Sequence, residues 1–156
     1  MPGIVGIVSQ RPSKENHSPL KSMVQCLMHE PFYTDGTYIN EELGRWLGWV
    51  NHEGSFSDCL PIWNEKKDIC LLFSGEDFAD QADVDALRMR GHEFAPDDAS
   101  YLVHLYEEMG YGFLERLNGA FSGVLLDLRE QKFVLFNDRY GVNRIYYHEE
   151  IGRAHV

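Results

Sequence analysis

Two apolar runs near the C-terminus do most to restrict the fold. Residues 120–128 and 132–137 are rich in strand-forming side chains and are joined by Arg129, Glu130, Gln131 and Lys132. A connection that short leaves only an antiparallel hairpin, because a parallel pair needs a crossover of a dozen residues or more. Other stretches repeat the theme. Residues 3–9, between Gly3 and a polar run from Ser9 to Asn16, read as a buried strand. Residues 45–50 and 68–73 read as further strands, and a last one is expected near 144–148, after a turn at Tyr140 and Gly141. In residues 32–39, Asp35-Gly36 sits between aromatic and β-branched residues and suggests a tight turn between two strands.

Helical spacing is scarcer. Leu20, Met23, Val24, Leu27 and Met28 fall on one helical face, with Ser18 and Pro19 suited to its start and Pro31 to its end. Ala82 to Arg90 is a short helix stopped by Gly91. Asp98 to Met109 is the clearest one, with Asp98 as cap and Leu102, Leu105, Tyr106 and Met109 as its apolar stripe. Strands outnumber helices and short turns join several of them, so the expected class is α+β with largely antiparallel sheets. The 156 residues suit one domain, and 44% hydrophobic content supplies a core.

Charge narrows the partners. Fourteen basic and twenty-five acidic residues give a net charge of -11. No basic patch is available for phosphates, so neither nucleic acid nor an anionic membrane is expected. No run approaches a membrane span, and no basic start precedes an apolar stretch as in a signal peptide, so a cytoplasmic location is expected. Cys26, Cys59 and Cys70 are odd in number and lack C-x-x-C spacing, so neither a disulfide framework nor a zinc site is expected. Cys26 lies among Met23, Val24, Leu27 and Met28 and reads as buried. The seven histidines are scattered along the chain, so no metal site is expected.

The chain opens Met1-Pro2-Gly3-Ile4-Val5-Gly6-Ile7. Later come Asn118-Gly119-Ala120-Phe121, then Asp127, then Asn137-Asp138-Arg139-Tyr140-Gly141. Together these segments resemble the glutaminase domain of asparagine synthetases, a class II glutamine amidotransferase of the N-terminal-nucleophile type. The resemblance covers about residues 3–148, is strongest over 98–148 and is weakest between 10 and 68. It implies a four-layer sandwich of two antiparallel sheets with outer helices. Residues 1–149 form the expected amidotransferase type 2 domain, truncated before a synthetase domain. In the family, a cysteine at position 2 attacks glutamine and its freed α-amino group, with a pKa of about 8, serves as base. Here Pro2 occupies that position and carries no attacking atom; Ser9 is the nearest hydroxyl. No catalytic residue is therefore assigned.

The substrate-handling positions are changed as well. The family's N-G-E-x-Y-N motif reads Ser74-Gly75-Glu76-Asp77-Phe78-Ala79, so Gly75 and Glu76 match while Ser74 stands at an oxyanion-hole asparagine. Losing one such donor costs a factor of roughly 10²–10³ in rate. The stretch that supplies a carboxylate-clamping arginine reads Leu47-Gly48-Trp49-Val50-Asn51-His52 and has none. Asp98 matches an aspartate that would face the substrate amino group; helix capping explains it equally well. Glu76 is either a ligand contact or a solvated turn residue. By resemblance, Ser74, Gly75, Glu76 and Asp98 form the candidate substrate-binding set. His29, the remnant of an H-R-G-P-D segment, reads as a packed histidine. Asn118, Asp127, Asp138 and Arg139 read as turn, core and buried ion-pair positions.

The final residues, Glu150 to Val156, match the translation of a common sequencing adapter and read as a non-native tail. No S-G-G-x-D-S loop occurs, so ATP and magnesium are expected only in a separate ligase domain. The expected partners are that C-terminal synthetase domain and glutamine or another small amino acid. Three functions stay open: an enzyme with another nucleophile, a degenerate domain attached to a working amide-forming one, and a stand-alone amino-acid-binding or structural module.

Overall fold

The computed structural model describes residues 2–9, 14–95 and 97–149. The expected tail at 150–156 lies outside the described residues. Two antiparallel sheets form the centre. The first holds β1 (Gly3–Val8), β3 (Arg45–His52) and β2 (Tyr33–Asn40), in that order. The second has the order β4 (Ile62–Trp63), β5 (Ile69–Asp77), β6 (Gly119–Asp127), β7 (Lys132–Asn137). Helix α1 (His17–Leu27) covers the first sheet; α2 (Gln81–Met89), α3 (Tyr101–Met109) and the single-turn α4 (Phe113–Arg116) belong to the other side.

Alternation along the strands explains the four layers. In β3, Leu47 and Trp49 point to the second sheet, where they pack with Cys70, Leu72, Val124 and Leu126. Gly48, on the opposite face, receives Val24 and Leu20 of α1: a Cβ there would sit 2.4 Å from a Val24 methyl. In β5 the odd positions Ile69, Leu71 and Phe73 face the helices and join Leu102, Leu105, Phe113 and Leu125 in one apolar cluster. Each such buried side chain contributes about 1.5–3 kcal/mol by leaving water. The expected α+β sandwich of two antiparallel sheets is what forms, and a turn over 128–131 closes the β6–β7 hairpin, with Asp127 opposite Lys132.

Several local expectations fail for identifiable reasons. Asp35-Gly36 is not a turn: β2 runs unbroken through it, and Gly36 faces Trp49, whose indole would lie 2.3 Å from any Cβ. That glycine makes room for a ring. Residues 144–148 form no strand. Strand β1 lies at a sheet edge and is half-buried, not buried. Cys26 and His29 are exposed, because α1 buries Leu20 and Val24 on a narrower face than its apolar content suggests. Asp138 is buried but not ion-paired with the exposed Arg139; its carboxylate accepts backbone N–H groups of Tyr140, Val142 and Asn143 at 2.8–3.1 Å and shapes the turn. At the other end of the hairpin, Asp127 pairs with Arg129 and Glu130 with Lys132.

Candidate active site

The N-terminus enters the fold through sheet register. Gly3 is paired with Val50, so one further step brings the exposed Pro2 abreast of Asn51. Asn51 is 5% exposed and fully engaged. Its Nδ2 donates to the Ser57 carbonyl at 3.1 Å and its Oδ1 accepts from Thr34 at 3.3 Å. Ser57 then donates its hydroxyl to the Gly75 carbonyl at 3.1 Å. A continuous path of polar contacts thus links the strand beside position 2 to the end of β5.

At that end, Ser74 and Glu76 share the face of Cys70 and Leu72, the one turned toward the first sheet and β1. Ser74 is half-buried and Glu76 exposed. Glu76 belongs to a strand paired with Ala120, not to a turn. Gly75 has a φ of 119°, and a Cβ on it would lie 2.1 Å from the Ala120 carbonyl oxygen. No other residue fits so close to β6.

Asp98 precedes α3 and does not cap it. The helix begins at Tyr101, and the Asp98 carboxylate accepts from the Ser100 N–H at 2.8 Å. It lines a hollow of about 350 Å³ with Ser55, Asp58, Cys59, Ala95 and Asp97. The Ala99 N–H donates to the Phe56 carbonyl at 2.9 Å, which holds this loop to the 53–59 segment. Burial, with help from the nearby Asp98 charge, pushes the Cys59 thiol up to about 12. A thiol so raised is a poor nucleophile at neutral pH. Asp98 and Gly75 are therefore gathered around one loop, through Phe56 and Ser57. Ser74, Gly75 and Glu76 do not line the hollow itself.

Two features escape a reading by motif. One is the Asn51–Ser57–Gly75 connection; its only signal is that Asn51 lies in the stretch where the family carries its arginine. The other is Asp77, buried between the Tyr101 hydroxyl and the Asn118 N–H. Burial raises its pKa, and those two hydrogen bonds oppose the rise. Asp77 thereby ties β5 to α3 directly behind the candidate site. The histidines are less scattered than the sequence suggests, since the rings of His92 and His104 lie 4.9 Å apart.

Over residues 1–156 the sequence matches the family described as "Glutamine amidotransferase domain". The chain belongs to that family. This amidotransferase domain is 38% identical over 87 residues to an asparagine synthetase [glutamine-hydrolyzing] of Triphysaria versicolor, a match covering 55% of this chain and 14% of that protein. It is 37% identical over 87 residues to asparagine synthetase 1 of Arabidopsis thaliana, covering 55% and 15%. With the nodule asparagine synthetase of Pisum sativum it shares 37% identity over 89 residues, covering 55% and 14%. It is thus an asparagine synthetase-like amidotransferase domain, and its matched part spans about one seventh of those relatives' length. Among the described residues, no helix is long and apolar enough to cross a membrane.

Proposed function

We propose that this chain is the glutaminase-type domain of an asparagine synthetase-like, amide-forming enzyme, and that it no longer hydrolyses glutamine. The carrying observation is Pro2 at the edge-strand position beside Asn51. A proline ring offers no thiol or hydroxyl, and removal of Met1 would expose only a secondary amine. Two further changes point the same way. Ser74 reaches less far than an asparagine would, and Asn51 spends its amide on Ser57 and Thr34. What remains at Ser74, Gly75, Glu76 and Asp98 suits weak binding of glutamine or another small amino acid. Amide formation then belongs to a C-terminal synthetase domain, which would hold ATP and magnesium; nothing in these 156 residues provides their binding loop. The three free cysteines accord with a reducing, cytoplasmic location.

Glutamate release from glutamine by the purified chain is the test. No release above the uncatalysed background is expected. Pro2→Cys alone should restore little, because the missing oxyanion donor still costs roughly 10²–10³-fold. Pro2→Cys with Ser74→Asn should exceed Pro2→Cys by about that factor. Turnover by the unaltered chain would sink the reading. Finding that the gene ends without a synthetase domain would favour the stand-alone binding module.

A further inference from the structure

We propose that Glu65, His92, His104 and Glu107 form a binding site for a divalent transition metal, zinc above all, that fastens the helical layer to the second sheet. One ligand atom from each residue lies within 4.8 Å of every other. The Nδ1 of His104 is 3.6 Å from Glu65 Oε2 and 3.9 Å from Glu107 Oε2, and His92 Nδ1 is 3.8 Å from Glu65 Oε1. These gaps are too long for hydrogen bonds. They are close to the separation of about 3.4 Å between ligands around a tetrahedral ion with bonds of about 2.0–2.1 Å.

Among the described residues, two atoms aimed into the cluster have no other partner. His104 is 3% exposed, and its Nδ1 is buried without a hydrogen bond; Glu107 Oε2 is in the same condition. Orphaned buried polar atoms are uncommon, and one cation would satisfy both. The surroundings are those of an oriented ligand set. The other ring nitrogen of His92 lies 3.0 Å from Glu108 Oε1, which fixes Nδ1 as the lone-pair side when Nε2 carries the proton. The other oxygen of Glu107 accepts from Asn64 Nδ2 at 3.3 Å. A set of two imidazoles and two carboxylates suits zinc better than calcium or magnesium, which want more oxygens.

Position gives the function. Glu65 follows β4, His92 follows α2, and His104 and Glu107 occupy one face of α3 at i, i+3 spacing. The cluster sits near the Ile69 end of β5, since Asn64 also binds the Ile69 N–H. Gly75 is six residues on, about 20 Å along the strand. The ion would act on the frame, away from Pro2.

Cobalt(II) titration of the full chain tests this. The expected result is one cobalt per chain with the intense visible bands of a tetrahedral centre, displaced by zinc. Zinc at about 100 times its Kd should raise Tm by roughly 5–10 °C over metal-stripped protein. His92→Ala should abolish the bands while far-UV circular dichroism is unchanged, and His104→Gln should abolish them too. Glu108→Gln should weaken binding by about 10–100-fold, and His29→Ala should leave it alone. Absence of tetrahedral bands in the unaltered chain overturns the proposal. So does their survival in both His92→Ala and His104→Gln.

Discussion

Replacing Asp127 by asparagine should destabilise the domain at neutral pH and leave it unaffected in strong acid. Asp127 closes β6 with a side chain 1% exposed. Its carboxylate accepts from the Arg129 N–H and Nε at 3.0 Å, from Arg129 Nη2 at 2.6 Å and from the Tyr106 hydroxyl at 3.0 Å. The Arg129 hydrogen bonds are the main cause holding its pKa at about 2, below the ordinary 3.8. At about 1.4 kcal/mol per tenfold change, that difference corresponds to at most ~2.5 kcal/mol. Arg129 is 41% exposed, so solvent screening reduces the figure to ~1–2 kcal/mol.

The sign follows from linkage. A carboxylate with a depressed folded pKa contributes its full stability above the unfolded value, and loses it as pH falls from 3.8 through about 2. Urea unfolding monitored by tryptophan fluorescence is the assay. At pH 7 Asp127→Asn should lower the midpoint by about 0.5–1 M. The difference should shrink below pH 4, fall to a small remainder at pH 2 and vanish about one pH unit lower. A deficit that stays undiminished at pH 2 would show that packing, not charge, carries the effect. No deficit at pH 7 would refute the ion pair as a stabilising element.

Two further expectations come from packing. Gly48→Ala should cost about 1–3 kcal/mol in thermal melts, because the new methyl meets a Val24 methyl at 2.4 Å and Val5 at 3.4 Å. Val24→Ala should recover part of that loss, and additivity of the two changes would argue against direct contact. Thiol titration at pH 8 should label Cys26 alone in the native chain, since burial pushes both Cys59 and Cys70 up to about 12. All three should react in denaturant; prompt native labelling of Cys70 would contradict the buried inter-sheet core.

What could be read in advance is what depends on neighbours in sequence. The β6–β7 hairpin was legible because its turn and both strands are contiguous, and the sandwich followed from the family segments around Asn118 to Gly141. Gly36 was misread because its reason lies across the sheet, in the Trp49 ring. Cys26 was misread because helical spacing alone does not say how wide a face the neighbour covers. Asp98 sat where a cap belongs, but the turn through Ser100 delays the helix to Tyr101. The candidate site was legible as motif residues and not as connections. Nothing in the sequence links Asn51 to Ser57 or Ser57 to Gly75, and nothing brings Glu65 to His92 and His104, because these meetings are products of tertiary packing.

The pairing of Gly3 with Val50 has one more consequence. Position 2 borders a strand start at a sheet edge, where a missing N–H and a rigid ring are tolerated. The side chain there is exposed to solvent and is not part of the buried core. Reactivity at this site and integrity of the sandwich are therefore separable traits. A lineage could discard the first with one codon change and carry the second onward intact, leaving a ready platform for whatever role the attached machinery next requires.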